Sequence, residues 1–370
     1  MKNIRPTILE VNLSNLEYNI QKIKEYVGKN VNIMPVIKAN AYGTYINKIN
    51  EILNKFDIVS VAIVSEAIEL RKQGFNKKIF VLNQPATSEI NEIIKYDISI
   101  GVSDKFFIEK LGKTNAKIKV HLEIDTGMGR TGINPCDTEK YIDILKKYPN
   151  LIIEGIYTHL SSADTDFNYT ENQIELFDSC ALKFIKEFDT IKYIHASASN
   201  GILNFKNSYY NLVRPGIILY GYKSNKNTYE KINLKPVCKL KSKVTFLKQV
   251  EENTSIGYSR SFITKKKSII ATIPIGYADG LKRILSNRGF VVINNKKAPI
   301  IGTICMDSIM VDVTNIENVN INTDVYIWDN KIITLEDIAE KANTINYEIL
   351  STISDRVPRI FVEGGEYINF

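Results

Sequence analysis

The sequence predicts an α/β protein in two parts, a (β/α)8 TIM-like barrel over residues 8–236 and a mostly β domain over residues 237–370 that also includes residues 1–7. In the first part, short apolar runs alternate with longer stretches of helical periodicity, which is typical of strand–helix units and a parallel sheet. After Pro236 the residues alternate with a period of two and are separated by glycine and asparagine turns, which predicts antiparallel strands. A length of 370 residues is sufficient for two cores.

The first part contains eight candidate strands, a number that favours a closed barrel over an open sheet. Their apolar runs end at Lys38, Ser65, Asn83, Ser103, Asp125, His159, Ser197 and Arg214. The helices predicted between them include Leu13 to Val27, Ser65 to Gln73 and Glu171 to Phe188. In the second part we predict one helix over Thr334 to Asn343, with the threonine as its N-cap.

Composition and charge exclude several classes of protein. The hydrophobic share of 44% and the charged share of 24% are those of a globular protein. The net charge of +7 is scattered along the chain, so we expect no nucleic-acid partner. Because no apolar run reaches membrane-spanning or signal-peptide length, we expect no membrane partner and a cytoplasmic location. The four cysteines lack metal-ligand spacing, so neither a metal site nor a disulfide framework is expected.

Polar residues gather where the predicted barrel strands end. At or just beyond those ends lie Lys38, Arg130, His159, His195, Ser199 and Arg214. The C-terminal ends of barrel strands share one face, which carries the active site in barrels of this type. A single lysine or histidine at a strand end is usually solvated or bonded to backbone, but here two of the three histidines of the chain accompany a lysine and two arginines. We therefore predict an active site on this face.

The same face suits an anionic cofactor. The segment NLVRPGIILYG places the backbone N–H groups of Gly216 and Ile217 after the eighth strand, where such barrels often bind phosphate, and Ser199 adds a hydroxyl. Lys38 ends a buried apolar strand, and partial desolvation there lowers the pKa of its amine and makes it a nucleophile toward an aldehyde. By itself, the segment VIKANAYG also fits a surface lysine that follows a strand.

Together these motifs resemble those of the alanine racemases, which are barrel-type (fold type III) pyridoxal-phosphate enzymes. The resemblance extends from Arg5 to Phe361, and its motifs recur in order in both parts of the chain. It implies pyridoxal 5′-phosphate as cofactor, with Lys38 of VIKANAYG as its Schiff-base lysine and Tyr42 in contact with its phosphate. It also implies that Arg130, in HLEIDTGMGRTG, binds the carboxylate of an amino-acid substrate.

Further motifs complete the implied site. The segments IYTHLSSAD, HASASNG and VRPGI are cofactor-binding in the family, and they supply His159, His195, Ser199, Arg214, Gly216 and Ile217. The second part supplies Tyr258 as a base, Met306 at the substrate, and Tyr277, Cys305 and Asp307 as supporting residues. The resemblance implies that these second-part residues enter the active site of a partner subunit, so a head-to-tail homodimer with shared active sites is expected.

The implied reaction is the interconversion of L- and D-alanine by two bases. Racemisation removes the Cα proton from one face and returns a proton on the other, so two acid–base groups must flank the imine of substrate and cofactor. The resemblance assigns Lys38 to the D-isomer and Tyr258 to the L-isomer. Because a free tyrosine, with a pKa of ~10, is a poor base near neutrality, Tyr258 needs a positive or hydrogen-bonding environment, for which His159 and Arg214 are candidates.

Arg214 distinguishes this interpretation from that of a decarboxylase. A guanidinium that stays protonated leaves the pyridine nitrogen of the cofactor unprotonated, which makes the ring a weaker electron sink and suppresses transamination. Decarboxylases of similar architecture carry a glutamate there.

The chain departs from the family pattern at four places. Glu123 stands where many relatives have a carbamylated lysine, and we expect its carboxylate to orient Arg130. Asp355 replaces a tyrosine at the substrate entrance, which we expect to widen and polarise the pocket mouth, so that serine or another small polar or cationic amino acid is tolerated. Ala198 replaces an asparagine, and one hydrogen bond near the cofactor phosphate is then lost or made by Asn200. Nothing explains Thr44–Tyr45 in place of a histidine–glycine pair.

Three alternatives remain open. A racemase for serine or for many amino acids is motivated by Asp355 alone. A pyridoxal-phosphate carrier or homeostasis protein would use the same barrel and lysine without catalysis, but such proteins lack the β domain with SIGYSRSF and GTICMDS. A basic amino-acid decarboxylase is disfavoured by Arg214 and Tyr258. For a racemase, three physiological roles remain open. They are the supply of D-alanine for peptidoglycan, amino-acid catabolism, and resistance.

Overall fold

The computed structural model of the protein describes residues 5–223 and 231–368. The chain divides into two compact units. The barrel unit comprises Asn19–Ala41 and Tyr45–Leu234, and the β unit comprises Met1–Tyr18, Tyr42–Thr44 and Lys235–Phe370. Among the described residues, no helix combines the length and the apolar character that a membrane span requires.

Eight parallel strands form the barrel. Counting from β1 (Ile8–Asn12), which belongs to the β unit, they are β2 (Asn32–Ile33), β3 (Ile58–Val61), β4 (Lys78–Val81), β5 (Ser99–Val102), β6 (Ile118–Glu123), β7 (Leu151–Tyr157), β8 (Tyr193–His195) and β9 (Leu212–Val213). Strands β3 to β8 pair in chain order, and β2 pairs with β9. The bridges Val36–Ser60 and Ala198–Arg214 join these two groups and close the ring. The predicted barrel is confirmed, and each of its strands overlaps one of the predicted apolar runs.

Helices connect the barrel strands. They are α1 (Leu13–Val27), α2 (Lys38–Tyr42), α3 (Asn50–Leu53), α4 (Val64–Lys72), α5 (Ile90–Lys95), α6 (Lys105–Gly112), α7 (Thr138–Leu145), α8 (Phe167–Glu187) and α9 (Ser199–Asn204). The predicted bounds of α1 are confirmed, whereas α8 begins four residues earlier than predicted. The reason is an N-cap, because the Asp166 carboxylate accepts a hydrogen bond from the Tyr169 amide at 3.0 Å.

The barrel interior is packed with large side chains. Met34, Ile58, Phe80, Tyr157 and Leu212 form one buried cluster, and each comes from a different strand or its continuation. Barrel strands are buried on both faces, since helices cover the outside and side chains fill the inside. For this reason β3 and β5 are buried along their whole length.

The β unit is built on a ten-stranded sheet in the order β11-β14-β17-β16-β15-β18-β10-β1-β19-β20. Its strands after β1 are β10 (Cys238–Lys243), β11 (Phe246–Val250), β14 (Ser268–Ile273), β15 (Phe290–Ile293), β16 (Lys296–Ile301), β17 (Ile309–Asp312), β18 (Asp324–Trp328), β19 (Arg359–Glu363) and β20 (Glu366–Ile368). A separate hairpin pairs β12 (Ser255–Ile256) with β13 (Phe262–Ile263), and two helices follow, α10 (Leu335–Lys341) and α11 (Asn346–Ser351). The predicted cap of α10 is present, because Thr334 Oγ1 accepts from the Asp337 amide at 3.1 Å.

The start of the chain differs from the predicted domain boundary at residue 8. Strand β1 pairs antiparallel with β10 and parallel with β19, so it extends the sheet of the β unit instead of entering the barrel. The physical reason is its burial pattern, in which Leu9 and Val11 are buried while their neighbours are partly exposed. Such alternation suits a sheet with one covered face, whereas barrel strands are covered on both.

Candidate active site

Lys38 opens a left-handed turn at the end of the first barrel strand. Ala39, Asn40, Ala41 and Tyr42 all have φ between 52° and 55°, a conformation that is unfavourable for residues other than glycine by roughly 1–2 kcal/mol each. The Glu66 carboxylate accepts hydrogen bonds from the amides of Ala39 at 2.6 Å and Ala62 at 2.8 Å. Glu66 therefore holds the strained turn to the residues that follow β3. Nothing in VIKANAYG, with its single glycine, predicts this turn.

The environment of Lys38 favours the neutral amine. Burial and the positive charge of Arg130 lower the pKa of Lys38, and Glu66 opposes them in part. A lysine whose amine loses its proton more easily is a better nucleophile and base. The predicted desolvation of this side chain is therefore present.

Arg214 is buried, with 2% of its surface exposed, and fixed acceptors hold its Nη1 and Nη2 groups. Nη1 donates to His195 Nδ1 at 2.6 Å and to the His195 carbonyl at 3.0 Å. Nη2 donates to the carbonyls of Thr158 and Ala196, each at 2.8 Å. Burial lowers the pKa of Arg214 to about 10, which still leaves the guanidinium protonated at neutral pH. The arginine is thus a rigid cation at the C-terminal ends of β7 and β8.

The two histidines on this face are neutral. Burial, followed by the charges of Arg214, Arg130 and Lys38, lowers the pKa of His159 to about 3. Burial and Arg214 hold the pKa of His195 well below its usual range. His159 Nδ1 lies 3.4 Å from Arg214 Nη2, so it is oriented as an acceptor. These electrostatic effects join Lys38, Arg130, His159 and Arg214 in one polar group, as the strand ends predicted.

An anion-binding corner follows the last two barrel strands. Helix α9 begins at Ser199 after β8, and a 3-10 helix, Ile217–Tyr220, begins after β9. The Gly216 amide donates to Ser199 Oγ at 3.0 Å, which brings the two elements together. Loops after the seventh and eighth barrel strands, with the start of a short extra helix, are the usual phosphate site of this fold. Ser199, Gly216 and Ile217 are therefore grouped as predicted.

Arg130 lies on a glycine-rich loop after β6. Asp125 Oδ1 accepts from the amides of Gly127 and Gly129, each at 3.0 Å, and so shapes this loop. Glu123 Oε1 lies 3.8 Å from Arg130 Nη2, and Glu123 Oε2 accepts from Thr131 Oγ1 at 2.7 Å. The predicted pairing of Glu123 with Arg130 is therefore present in the structure.

The predicted residues of the β unit form a second group. Tyr258 begins a 3-10 helix and is 69% exposed, and its carbonyl accepts from Thr303 Oγ1 at 3.3 Å. The Tyr277 amide donates to the Cys305 carbonyl at 3.1 Å, and Cys305 is a free thiol. Met306 is 51% exposed. The loops that carry these residues are thus fixed while their side chains point outward.

A buried carboxylate anchors these loops. Its role was not predicted from the motifs. Asp279 is fully buried and accepts from Arg5 Nη2 at 2.7 Å and from the Gly276 amide at 2.9 Å. Arg356 lies 3.5 Å from Asp279 and donates to Asp307 Oδ1 at 2.6 Å. This network links the start of the chain to the predicted residue Asp307. The segment PIGYADG contained the signal, an acidic residue between two glycines.

Two other departures from the family pattern, at Asp355 and at Thr44–Tyr45, make ordinary contacts. Asp355 is exposed and lies in a turn, in which Arg359 Nη1 donates to the carbonyls of Ser354 at 2.6 Å and Val357 at 2.7 Å. Thr44 is buried, and Lys48 lies 4.7 Å from the ring of Tyr45. Nothing in these contacts explains the Thr44–Tyr45 pair.

Comparison with known proteins gives a match in both parts of the chain. The family description "Alanine racemase, N-terminal domain" matches residues 11–224, and "Alanine racemase, C-terminal domain" matches residues 237–361. The chain belongs to the alanine racemase family. The resemblance noted from its motifs is confirmed.

Relatives of the family are similar over almost their whole length. The chain is 40% identical over 374 residues to alanine racemase 2 of Caldanaerobacter subterraneus subsp. tengcongensis, a match that covers 98% of this chain and 96% of the relative. Its fold is similar to that of the alanine racemase of Clostridium difficile 630, with a TM-score of 0.94, 34% identity, and coverage of 100% of this chain and 98% of that one. The alanine racemase of Bartonella henselae, solved with covalently bound pyridoxal phosphate, is 30% identical with a TM-score of 0.86, over 96% of this chain and 99% of that one.

Proposed function

We propose that this protein interconverts L- and D-alanine with pyridoxal 5′-phosphate as cofactor. The observation that carries this proposal is the pairing of a partly desolvated amine, Lys38, with a rigid buried cation, Arg214, in one polar group at the C-terminal ends of the barrel strands. Membership of the alanine racemase family supplies the substrate, a small amino acid.

The described residues fit this cofactor. Ser199 and the Gly216 amide offer hydrogen-bond donors of the kind that binds phosphate, and two helices begin beside them. Lys38 offers a primary amine for the aldehyde group, and Arg214 offers a guanidinium that can only donate to a ring nitrogen. His159 has a neutral ring beside Arg214. The family implies that Tyr42 contacts the phosphate.

Two groups of this chain move the proton of the substrate. When bound, the cofactor supplies an electron sink that weakens the Cα–H bond of the amino acid. Lys38 would hold the cofactor through Nζ, and its free amine would accept the Cα proton of D-alanine at that atom. Tyr258 accepts the Cα proton of L-alanine at its hydroxyl oxygen. Whichever base removes the proton, the opposite base supplies one on the other face, which inverts the configuration.

Arg130 binds the substrate carboxylate in this proposal, and Glu123 holds Arg130. The guanidinium of Arg130 is 46% exposed, which leaves its fork open to make two parallel bonds to a carboxylate. Burial raises the pKa of Glu123, and the bond from Thr131 and the charge of Arg130 oppose that shift. We propose that Glu123 orients Arg130 without a carbamylated lysine.

We propose a head-to-tail homodimer in which Tyr258, Tyr277 and Met306 enter the active site of the partner subunit. These three large side chains are 69%, 42% and 51% exposed, although their loops are held by hydrogen bonds. Exposed apolar groups on ordered loops are typical of a surface that binds another protein. A second copy of the barrel face is the partner that the two-base reaction requires.

The test is direct. The purified protein is incubated with single L-amino acids, and formation of the D-enantiomer is followed by chiral chromatography. We expect D-alanine from L-alanine, and we expect none from the Lys38→Ala variant. A protein that retains the cofactor but racemises no amino acid would instead fit the carrier alternative.

Asp355 motivates a second candidate substrate. An exposed carboxylate at the predicted pocket mouth can accept a hydrogen bond from a hydroxyl, so we propose that serine is racemised more slowly than alanine but measurably. Comparison of kcat/KM for L-alanine and L-serine checks this, with Asp355→Tyr as the variant expected to lose serine turnover. Undetectable serine turnover in the unmodified protein would remove the idea.

A further inference from the structure

A row of buried polar side chains leads from Arg214 through the barrel interior. His195 Nε2 lies 2.9 Å from His121 Nδ1, and His121 Nε2 faces Glu154 Oε2 at 3.8 Å. Lys78 Nζ donates to the other oxygen of Glu154. We call Arg214, His195, His121 and Glu154 the polar row, and Lys78 adjoins it at Glu154. The proposed reaction leaves His121, Glu154 and Lys78 without a role.

The hydrogen bonds of the polar row run in one direction. A guanidinium has no acceptor, so His195 Nδ1 must accept from Arg214 and His195 must carry its proton on Nε2. That Nε2–H donates to His121 Nδ1, and His121 therefore also carries its proton on Nε2. The His121 Nε2–H points toward the Glu154 carboxylate, and within residues 5–223 and 231–368 it has no partner at hydrogen-bond distance. Every donor thus faces away from Arg214 and toward Glu154.

The charges at the two ends of the polar row agree with the direction in which its hydrogen bonds are donated. Burial alone would raise the pKa of Glu154, but the nearby His121 ring and the bond from Lys78 lower it to about 2, so the carboxylate is ionised. Burial lowers the pKa of His121, which keeps its ring neutral. The polar row therefore begins with a cation and ends with an anion, with two neutral imidazoles between them. In a buried site such bonds polarise one another.

Strand β7 is shaped to accommodate the polar row. Val120 of β6 pairs with Ile153, but His121 pairs with Gly155, so Glu154 is the extra residue of a β-bulge. Bulges re-aim side chains and are common next to active sites. A Cβ on Gly155 would lie 2.5 Å from His121 Nδ1, so only glycine leaves room for the imidazole.

Stability of the fold gives little reason for this arrangement. Glu154 is 6% exposed at its side chain, and the desolvation of a buried carboxylate offsets most of its attraction to Lys78. An apolar pair of similar volume would fill a barrel interior at least as well. A buried charge next to neutral histidines is better explained by its effect on their protons.

We propose that Glu154 is a positioning residue for the reaction, because it selects the Nε2–H forms of His121 and His195 and so keeps His195 Nδ1 available to hold the Arg214 guanidinium. The other possible placement of the histidine protons shows why this selection is needed. If His121 carried its proton on Nδ1, it would donate to His195 Nε2, and His195 would then present an N–H to Arg214. The anion at Glu154 disfavours that arrangement. This role rests on the proposed function, since Arg214 matters through the cofactor.

The histidine protons can be read directly, because the chain has only three histidines and all three lie in this region. The whole protein is labelled with 15N-histidine, and long-range 1H–15N spectra are recorded without substrate. We expect His121 and His195 to carry their protons on Nε2. In Glu154→Gln the side-chain amide can donate as well as accept, so we expect mixed tautomers at both rings. A proton on Nδ1 of His195 in the unmodified protein would overturn the proposal.

Two further variants separate this role from a structural one. Lys78→Met removes the cation that opposes protonation of His121, so we expect the His121 signals to move in the opposite direction to those of Glu154→Gln. The groups that face His121 are Glu154 on β7, Lys78 on β4, and His195 and Arg214 beyond it. The matched control is Asp97→Asn, because Asp97 accepts from Lys119 at 2.8 Å in an exposed pair that reaches no histidine. We expect its histidine spectrum to be unchanged.

Kinetics complete the test. We expect Glu154→Gln to lower kcat/KM for L-alanine by about tenfold, the scale of one impaired hydrogen bond to a charged group, while Asp97→Asn retains full activity. Unchanged histidine signals in an active Glu154→Gln enzyme would overturn the role of Glu154 alone. Loss of racemisation already in the unmodified protein would instead overturn the proposed function and this role with it. If Glu154→Gln fails to fold, an unshifted His121 in Lys78→Met would contradict the proposal.

Discussion

The two groups of predicted site residues differ in how they are held. In the barrel unit, Arg214 is buried and bonded to four acceptors of the described chain, and Ser199 is bonded to the Gly216 amide. In the β unit, the side chains of Tyr258 and Met306 are more than half exposed, although hydrogen bonds hold the loops that carry them. The side chains of the barrel group are held by contacts within the barrel unit, whereas those of the β group are exposed. Substitutions should therefore affect stability in the first group and activity in the second.

The largest expected effect is on activity, from Tyr258→Phe. Loss of a proton-transfer group lowers kcat/KM for racemisation by about 1,000-fold. Because the side chain is 69% exposed, the free energy of unfolding should change by no more than about 0.5 kcal/mol.

Exchange of the Cα proton in D2O sharpens this result. If Lys38 serves the D-isomer, Tyr258→Phe should still exchange the Cα proton of D-alanine with solvent while it racemises alanine poorly. Equal loss of exchange and racemisation would contradict the assignment of the two bases. Racemisation is followed by chiral chromatography and exchange by 1H NMR.

Acid should unfold the barrel unit first. The folded pKa of His159 is about 3, below its ordinary value of 6.5, so the folded state binds fewer protons than the unfolded state at acid pH. Stability is therefore lost as the pH falls below about 6.5, and His159 alone removes about 3 kcal/mol by pH 4.

Two optical signals follow the units separately. Trp328, the single tryptophan of the chain, is buried in the β unit, while most of the helical ellipticity comes from the barrel unit. We expect ellipticity to fall at a higher pH than the fluorescence of Trp328 changes. Coincident transitions would mean that the two units unfold together.

Arg214→Glu should change the course of the reaction. A carboxyl at this position can protonate a ring nitrogen, which strengthens the electron sink and permits transamination. We expect about a hundredfold lower racemisation, because charged hydrogen bonds are lost, together with measurable pyridoxamine phosphate in a stopped assay. If no pyridoxamine product forms, this account of Arg214 is wrong. Arg130→Glu, an exposed arginine of the same face, is the control and should give no such product.

The smallest expected effect comes from Glu123→Gln. The amide keeps the bond with Thr131 but removes the charge 3.8 Å from Arg130. We expect KM for alanine to rise by about tenfold with kcat little changed, since binding of the carboxylate is weakened equally before and during the reaction. A fall in kcat at constant KM would point to a different role for Glu123.

Much of the barrel and of its site could be predicted because the signals are local. Eight apolar runs predicted eight strands, and the rule that barrel strand ends share a face brought Lys38, Arg130, His159 and Arg214 together. The position of β1 could not be predicted in this way, because pairing with β10 and β19 joins residues more than 200 positions apart. The motif resemblance supplied Tyr258 and Met306, for which periodicity alone gives no signal.

The sequence by itself determined the strand pattern, the family and the types of side chain at the site, since these depend on local periodicity and on motifs. Only the tertiary structure decided that Ala39 to Tyr42 form a left-handed turn and that a bulge turns Glu154 toward His121. Backbone strain and buried polar contacts arise from several strands at once. The partners of a glutamate in an apolar strand therefore become visible only when the sheet brings β4, β6 and β7 together.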